Sequence, residues 1–218
     1  MKLQAGQKLV MIGDSITDAE RSKPEGEGLF GALGKGYVSL VDAFLQSAYP
    51  ELGIRIVNKG LSGNTVRDLK QRWETDVEAL GPDWLSVMIG INDVWRQFDT
   101  PFITDWHVGP VEYESTLREL VRRTQPNVKG LVLMTPYYIE PNRTDAMRAR
   151  MDEYGTIVRA VAADSGALFI DTQAAFDRLL GTLYPATLAW DRVHPTQAGH
   201  MLLARTFLQA LEFDWNRL

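Results

Sequence analysis

The sequence contains no cysteine, which excludes disulfide bonds, thiolate nucleophiles and cysteine-ligated zinc. It also lacks any apolar stretch approaching the roughly 18 residues of a membrane-spanning helix, so no membrane partner is expected. The chain has no long run of like charges. It contains 23 Lys and Arg and 28 Asp and Glu, which gives a net charge of −5. Nucleic-acid binding depends on basic side chains that neutralise phosphates. A mixed, slightly acidic surface therefore argues against nucleic acid as a partner.

The N-terminal segment lacks the basic region and the long apolar region of a secretory signal peptide. Its short apolar run, Lys8–Ile12, leads directly into the tripeptide Gly13-Asp14-Ser15. A cytoplasmic location is therefore expected. The sequence predicts neither a metal site nor a cofactor.

Short apolar runs recur along the chain and are apolar on both faces, as in strands that helices cover on two sides. The five runs are Lys8–Gly13, Ile54–Asn58, Trp84–Gly90, Gly130–Thr135 and Ala167–Asp171. Amphipathic helical patterns separate or follow them, at Tyr37–Ala48, Thr65–Leu80, Pro110–Thr124, Met147–Asp164, Thr172–Leu183 and Thr196–Phe213. This alternation predicts an α/β protein with a parallel sheet, right-handed crossovers and a single domain over residues 1–218.

Two predicted connections, Ile16–Gly36 and Trp95–Gly109, are longer than a compact domain needs. Loops of that length are uncommon unless they have a function. Both follow the carboxyl end of a strand, which is where ligands bind in open α/β sheets. We therefore expect both loops to frame a pocket.

The tripeptide Gly13-Asp14-Ser15 ends the first strand and places a hydroxyl group at the carboxyl edge of the sheet. A serine after an aspartate at such a position is also common in turns and at helix N-caps, so Ser15 alone is ambiguous. A serine nucleophile needs an adjacent base. The three histidines of the chain, His107, His194 and His200, are the candidates.

His194 has the most suitable context of the three. Pro195 suits the first position of a helix and keeps His194 out of the helical region, so the imidazole is expected on an ordered turn. Asp191 lies three residues earlier and is placed to accept a hydrogen bond from Nδ1–H, as the acid of a catalytic triad does. The alternative role of Asp191 is to cap the following helix. His200 falls inside a helical pattern and is expected to be packed or on the surface, and His107 on the second long loop has no assigned role.

An acyl-transfer site also needs donors aimed at the negative charge that develops on the carbonyl oxygen. Ser62-Gly63-Asn64-Thr65 follows the second strand and opens a helix, and Gly63 permits close approach of a ligand to the backbone. Gly90-Ile91-Asn92-Asp93 follows the third strand, and the Asn92 amide is a donor that does not titrate. Each segment alone is more often a turn, but together with Ser15 they stand at three successive strand ends.

These segments together resemble the SGNH (GDSL-type) hydrolases, a family of serine esterases and lipases with a flavodoxin-like sheet. The matching blocks are Gly13-Asp14-Ser15, the glycine of Ser62-Gly63-Asn64, Gly90-x-Asn92-Asp93 and Asp191-x-x-His194. The resemblance implies a three-layer α/β/α fold with a five-stranded parallel sheet. It also implies that Ser15 is the nucleophile, His194 its base and Asp191 the partner of the base. The Ser15 N–H, the Gly63 N–H and the Asn92 side chain would form the oxyanion hole.

Within that family, three stretches are similar to intracellular acetylxylan esterases: Asn58–Trp73, Gly90–Phe98 and Leu183–His200. The similarity implies removal of acetyl groups from short acetylated xylo-oligosaccharides, a small saccharide substrate. The candidates for substrate binding are Asp14, Trp95, Tyr184 and Trp190. The three aromatic side chains are suited to stack on sugar rings, and the competing interpretation makes them core or interface residues.

Two other functions are compatible with the same residues. A lysophospholipase or thioesterase would use the same triad on longer acyl chains, but it needs an apolar groove, and the long loops are polar and rich in glycine. A non-catalytic flavodoxin-like binding module would place Ser15 and Thr17 around a phosphate, and it leaves Asp191 and His194 unexplained. Exposed tryptophans and the long first loop further suggest a homo-oligomer.

Overall fold

In the computed structural model, which describes residues 1–217, five parallel strands form one sheet in the order β2-β1-β3-β4-β5. The strands are Lys8–Gly13 (β1), Arg55–Gly60 (β2), Trp84–Met88 (β3), Gly130–Met134 (β4) and Leu168–Ile170 (β5). This is the order of flavodoxin-like sheets, whose ligands bind where the strand order reverses, between β1 and β3. The predicted fold class is confirmed.

Helices cover both faces of the sheet. They are Ser15–Asp18 (α1), Tyr37–Ala48 (α2), Val66–Asp76 (α3), Ile91–Asp99 (α4), Pro110–Thr124 (α5), Ala146–Ser165 (α6), Thr172–Leu180 (α7), Pro185–Leu188 (α8) and Gln197–Ala210 (α9). Short 3-10 turns lie at Pro50–Leu52, Glu78–Leu80, Thr104–Trp106, Gln125–Asn127 and Trp215–Arg217. Helix α9 packs against α2 and α7, and α5 packs against α3 and α6. Within residues 1–217, no helix combines the length and apolar character needed to cross a bilayer.

The strands are buried from both sides, which is why their sequences are continuously apolar instead of alternating. Leu9, Val10, Met11 and Ile12 of β1 are all fully buried. The predicted elements are confirmed in type, with shifts at their ends: β3 stops two residues early, at Met88, and the predicted helix that begins near Thr65 stops at Asp76. Its remainder forms the turn Glu78–Leu80.

Helix α4 is absent from the sequence prediction, which assigned its residues to a turn and to the loop Trp95–Gly109. Glycine, asparagine and aspartate at its start are typical of turns. Burial overrides this tendency, because Ile91 and Val94 are almost completely buried in the core. The second long loop therefore spans residues 100–109. The first is also shorter than predicted, because residues 15–18 form α1.

Candidate active site

Ser15, His194 and Asp191 form a continuous hydrogen-bonded chain at the carboxyl edge of the sheet. The Ser15 Oγ lies 2.8 Å from Nε2 of His194, and Nδ1 of His194 lies 2.6 Å from Oδ2 of Asp191. With its proton on Nδ1, a neutral imidazole donates to the aspartate and accepts from the serine hydroxyl. This geometry lets a histidine take the serine proton while a carboxylate orients the ring.

A close approach of chains at the end of β1 explains the glycine before the active serine. A Cβ on Gly13 would lie 2.4 Å from the Met88 carbonyl oxygen and 2.4 Å from Oγ1 of Thr17. The chain can therefore pass from β1 into α1 at this point only if the residue has no Cβ, which means glycine. Thr17 is itself buried, and its hydroxyl lies 3.0 Å from the Tyr37 hydroxyl. Thr17 is therefore not available to bind a phosphate together with Ser15, which the binding-module alternative requires.

Asp14 is the N-cap of α1, and this corrects the prediction that it binds substrate. Its side chain accepts a hydrogen bond from the Ile16 N–H at 2.9 Å, and only 1% of the residue is exposed. Burial raises the pKa of Asp14 to about 7, against the opposing effects of the Ile16 hydrogen bond and of nearby His194. Because Asp14 provides the cap, the hydroxyl of Ser15 is free to pair with His194.

Asp191 fixes both the imidazole and the turn that carries it. While Oδ2 faces the ring, Oδ1 accepts hydrogen bonds from the backbone N–H groups of Val193 at 3.0 Å and His194 at 2.8 Å. Burial alone would raise the pKa of Asp191, but the hydrogen bonds from His194 and the two backbone groups outweigh it and hold the pKa below its usual value. The carboxylate is thus charged at neutral pH and suited to stabilise an imidazolium.

The turn that carries His194 is separate from the last helix. Helix α9 begins at Gln197 with Thr196 as its N-cap. The sequence predicts Pro195 at the first helical position, and this prediction is wrong. Asp191 likewise does not cap this helix. The extra residues between His194 and the helix leave the imidazole on an independent turn that the carboxylate holds.

Two predicted oxyanion donors are joined by a hydrogen bond between their segments. Nδ2 of Asn92 donates one hydrogen to the backbone carbonyl of Asn64 at 2.9 Å, and its second hydrogen has no partner among residues 1–217. The adjacent Gly63 has a φ of +84°, which favours glycine, and its N–H is also without a partner in this range. The Ser15 N–H belongs to the first turn of a helix, where such groups have no intrahelical partner.

Asp93 forms a second link between the same segments, which sequence reasoning did not identify. Its Oδ1 accepts a hydrogen bond from the Val66 N–H at 2.9 Å, so α4 is attached to the first residue of α3. Asp93 is fully buried, and Oδ2 has no partner within residues 1–217. Burial raises its pKa to about 7, against the backbone hydrogen bonds.

Arg72 on α3 holds three chain segments of the site together. Its guanidinium donates to the side chain of Asn64 at 2.7 Å, the Lys59 carbonyl at 2.8 Å and the Gly13 carbonyl at 3.1 Å. The ends of β1 and β2 and the Gly63 segment are thereby fixed to one side chain. The sequence alone does not identify Arg72. The one indication of a role is that Arg72 lies within Asn58–Trp73, a stretch similar to acetylxylan esterases.

The other two histidines have structural contacts. His200 is packed, which is one of the two placements that the sequence predicts for it. Its Nδ1 accepts a hydrogen bond from the Tyr37 N–H at 3.2 Å. Burial lowers the pKa of His200 to about 4, and nearby His194 adds to the effect, so His200 is neutral at physiological pH. Nε2 of His107 lies 3.1 Å from the Thr100 carbonyl oxygen, which ties the two ends of the second loop together.

A catalytic cleft of about 400 Å³ opens above Ser15. Its lining residues are Ser15, Ile16, Ala19, Glu20, Lys35, Ser62, His194, Pro195, Gln197 and His200. The first long loop supplies Ala19, Glu20 and Lys35, so it frames the pocket as predicted. The volume lies within the range of small-molecule sites.

The aromatic candidates for substrate binding occupy different places. Trp95 lies against the triad, with its ring centroid 5.9 Å from that of His194. Trp190 precedes Asp191 and is 82% exposed. Tyr184 is 75% exposed and lies in a separate cleft with Glu140 and Arg192. The structure thus places Trp95 at the triad and does not bring Tyr184 into the catalytic cleft.

Comparison with known proteins agrees with this geometry. Residues 11–202 match the model of the GDSL-like lipase/acylhydrolase family, and the chain belongs to that family. This confirms the family that the sequence blocks predict and the assignment of the chain to the serine-esterase class of enzymes.

Individual relatives are similar over the whole chain. The acetylxylan esterase of Geobacillus stearothermophilus is 64% identical over 217 residues, which cover 100% of this chain and 99% of the relative. The crystal structure of Axe2, an acetylxylan esterase from that organism, has a TM-score of 0.98 at 64% identity and covers 99% of this chain and 98% of the other. LAE5, an alpha/beta hydrolase from the metagenome of Lake Arreo, Spain, has a TM-score of 0.96 at 60% identity, with 98% of each chain covered.

Solved variants of Axe2 are relevant to the triad. The changes S15A, D191A and H194A are each named as catalytic mutants of Axe2. The same residue types stand at the same numbers in this chain.

Proposed function

We propose that this chain removes acetyl groups from short acetylated xylo-oligosaccharides through an acyl-enzyme formed on Ser15. The observation that carries the proposal is the pair of hydrogen bonds that links Ser15 to His194 and His194 to Asp191. The substrate class follows the similarity to Axe2, which one of its solved structures names an acetyl-xylooligosaccharide esterase.

The first half of the reaction transfers the acetyl group to the enzyme. His194 takes the hydroxyl proton at Nε2 as Ser15 Oγ attacks the ester carbonyl, and Asp191 stabilises the resulting imidazolium. The oxygen of the tetrahedral intermediate becomes negative. It receives hydrogen bonds from the N–H groups of Ser15 and Gly63 and from the free amide hydrogen of Asn92. The imidazolium then protonates the sugar oxygen, which leaves as the alcohol.

The second half releases acetate. A water molecule enters the position that the sugar has left, and His194 removes its proton as the water oxygen attacks the acetyl-Ser15 carbonyl. The same three donors stabilise the second tetrahedral intermediate. Its collapse breaks the bond to Ser15 Oγ, and His194 returns the proton to the serine. The triad is then ready for another ester.

The lining of the catalytic cleft favours a small acyl group on a polar alcohol. Glu20, Lys35, Ser62 and Gln197 present polar side chains around Ser15. A lysophospholipase or thioesterase would need a continuous apolar surface for its acyl chain, because each buried methylene contributes about 0.8 kcal/mol of binding. In the part of the chain that the structure describes, only three apolar residues line the cleft beside these polar groups, Ile16, Ala19 and Pro195. The lining therefore supports the acetyl sugar over a long-chain ester.

A Ser15→Ala variant tests the mechanism directly. The substitution removes the nucleophile and leaves the Asp14 cap of α1 in place, so the protein is expected to fold and to lose turnover of an aryl acetate. Ser115→Ala, a serine on the surface of α5 whose hydroxyl bonds its own helix, is the matched control and keeps full activity. A folded Ser15→Ala protein with near-normal turnover would contradict the mechanism.

The substrate class is tested by measuring released acetate. Acetylated xylobiose, acetylated cellobiose and acetylated glucose are compared at equal acetyl concentration, and the xylobiose derivative is expected to react fastest. A series of aryl esters of increasing chain length addresses the alternative. Preference for acetate supports the deacetylase, and preference for acyl chains of eight or more carbons establishes the long-chain esterase instead.

We further propose that residues 1–218 form one domain, which a single sheet and one continuous hydrophobic core support. A homo-oligomer is proposed because large apolar side chains are exposed at several places, among them Leu29, Phe30 and Trp190. Light scattering of the purified protein tests it, and a monomer mass at micromolar concentration would contradict it. The cytoplasmic location stays a prediction from the sequence.

A further inference from the structure

We propose that a second groove beside the catalytic cleft binds the sugar residues that do not react, with Trp106 as a stacking platform. The inference rests on the proposed function, because it places the remainder of an acetylated oligosaccharide. This Trp106 groove has a volume of about 410 Å³. Its lining includes Gly63, Asp68, Gln71, Arg96, Asp105 and Trp106.

The Trp106 groove adjoins the catalytic cleft at two places. Ser62 lines the cleft while the next residue, Gly63, lines the groove. On the side of α4, the Trp95 ring lies against His194. The next residue, Arg96, lines the groove, and its guanidinium carbon lies 5.7 Å from the centroid of the Trp95 ring. A saccharide whose acetyl group reaches Ser15 can therefore continue past Gly63 into the groove.

The backbone around Trp106 is fixed although its side chain is half exposed. Arg67 on α3 donates to the carbonyl oxygens on either side of the tryptophan, Asp105 at 2.7 Å and His107 at 2.9 Å. The same guanidinium is paired with Glu112. Trp106 nevertheless remains 52% exposed. A large aromatic ring on a prearranged segment loses little conformational freedom on binding, which is the property of a recognition surface.

The chemistry of the groove suits a neutral pyranose ring. Such a ring has apolar C–H faces and a rim of hydroxyl groups, and a tryptophan offers a wide apolar surface to the face. Gln71 is exposed at the rim, and its amide has no hydrogen bond within residues 1–217, so it is available to a hydroxyl group. Two arginines, Arg67 and Arg96, also line the groove, but each is paired with a carboxylate, Glu112 and Asp99 respectively. As the described residues form it, the groove therefore offers no unpaired arginine to a phosphate, and it favours an uncharged ligand over an anionic one.

Trp106→Ala tests the inference against Phe102→Ala, a matched control. Phe102 belongs to the same loop and is 97% exposed, but it does not line the groove. The Trp106 variant is expected to raise KM for acetylated xylotetraose by about 3- to 10-fold at nearly constant kcat, since a uniform binding contact is lost. The loss is expected to be smaller for acetylated xylobiose and smallest for an aryl acetate. Phe102→Ala is expected to match the unmodified protein on all three.

A loss that is equal for all three substrates, or no loss, would overturn the groove assignment. A change of oligomeric mass on Trp106→Ala, without a length-dependent loss, would overturn it in favour of an interface between copies of this chain. Arg67→Met is a second variant: it keeps the tryptophan but frees its segment, and it is expected to give a length-dependent loss of the same kind.

Calorimetry separates failure of the groove from failure of the proposed function. Unmodified xylotetraose is titrated into the Ser15→Ala protein and into the Ser15→Ala, Trp106→Ala double variant. Weaker binding by the double variant supports the groove even if acetylated xylo-oligosaccharides are not turned over. Equal binding by the two proteins overturns the groove even if deacetylation of xylo-oligosaccharides is observed.

Discussion

Asp191→Asn separates the two tasks of the triad acid. In the native site, Oδ1 of Asp191 accepts hydrogen bonds from the Val193 and His194 N–H groups, while Oδ2 faces Nδ1 of His194 at 2.6 Å. An asparagine has the same shape and keeps an oxygen for the two backbone groups. Its NH₂ group, however, is a donor and now faces Nδ1. The turn is preserved while the partner of the imidazole changes from acceptor to donor.

The kinetic consequence follows from the tautomer. To accept from the asparagine, Nδ1 gives up its proton, and the ring then carries its proton on Nε2, directed at Ser15 Oγ. A protonated Nε2 cannot take the serine proton. In a serine protease this change lowers kcat by about 10⁴, and a loss of about 10³ to 10⁴ here corresponds to about 4 to 5.5 kcal/mol in the barrier.

The assay combines turnover of an aryl acetate with thermal unfolding of three proteins. Asp191→Asn is expected to lose turnover and to keep its stability within about 1 kcal/mol. Asp191→Ala also loses three hydrogen bonds, at about 0.5 to 1.5 kcal/mol each, and is expected to be about 2 to 4 kcal/mol less stable. A folded Asp191→Asn protein within tenfold of native turnover would refute the role of this carboxylate in setting the tautomer.

Two further predictions concern α4. Asn92→Ala removes a proposed oxyanion donor and is expected to lower kcat for an aryl acetate by about 10² to 10³, and a loss below tenfold at native stability would speak against that role. Asp93→Asn tests the pH dependence of stability. Burial raises the pKa of Asp93 to about 7 in the folded protein, so folding favours the protonated carboxyl group. The free energy of unfolding of the native protein therefore falls as pH rises from about 4 through 7. Asparagine does not titrate, so the Tm of Asp93→Asn minus the Tm of the native protein is expected to increase from pH 5 to pH 8. Thermal scans in which this difference stays constant or decreases would contradict the prediction.

The candidate catalytic residues could be located from the sequence because short segments carry them at the ends of strands. A buried strand followed by Gly13-Asp14-Ser15, and a histidine three residues after an aspartate, are both visible in the sequence. Parallel strands bring such ends to one edge of a sheet, so the sequence predicts that Ser15, Gly63 and Asn92 lie close together. The sheet order and the triad geometry agree with that expectation.

The supporting contacts could not be predicted because they join distant parts of the chain. Arg72 reaches the Gly13 carbonyl 59 positions earlier, and no local pattern encodes that contact. The sequence makes Asp14 a candidate for substrate binding, but the direction of its side chain depends on how α1 begins. Helix α4 was missed because turn-forming residues precede Ile91 and Val94, whose burial is a property of the folded core.

The central claim is that Ser15 carries the acetyl group during turnover. The protein is mixed with acetylated xylobiose, quenched in acid within the first turnovers, and digested for mass spectrometry. The account predicts the mass of one acetyl group on the peptide that contains Ser15, and no acetyl group on the corresponding peptide of the Ser15→Ala protein. An acetyl group on another residue, or continued release of acetate by the Ser15→Ala protein, would contradict it.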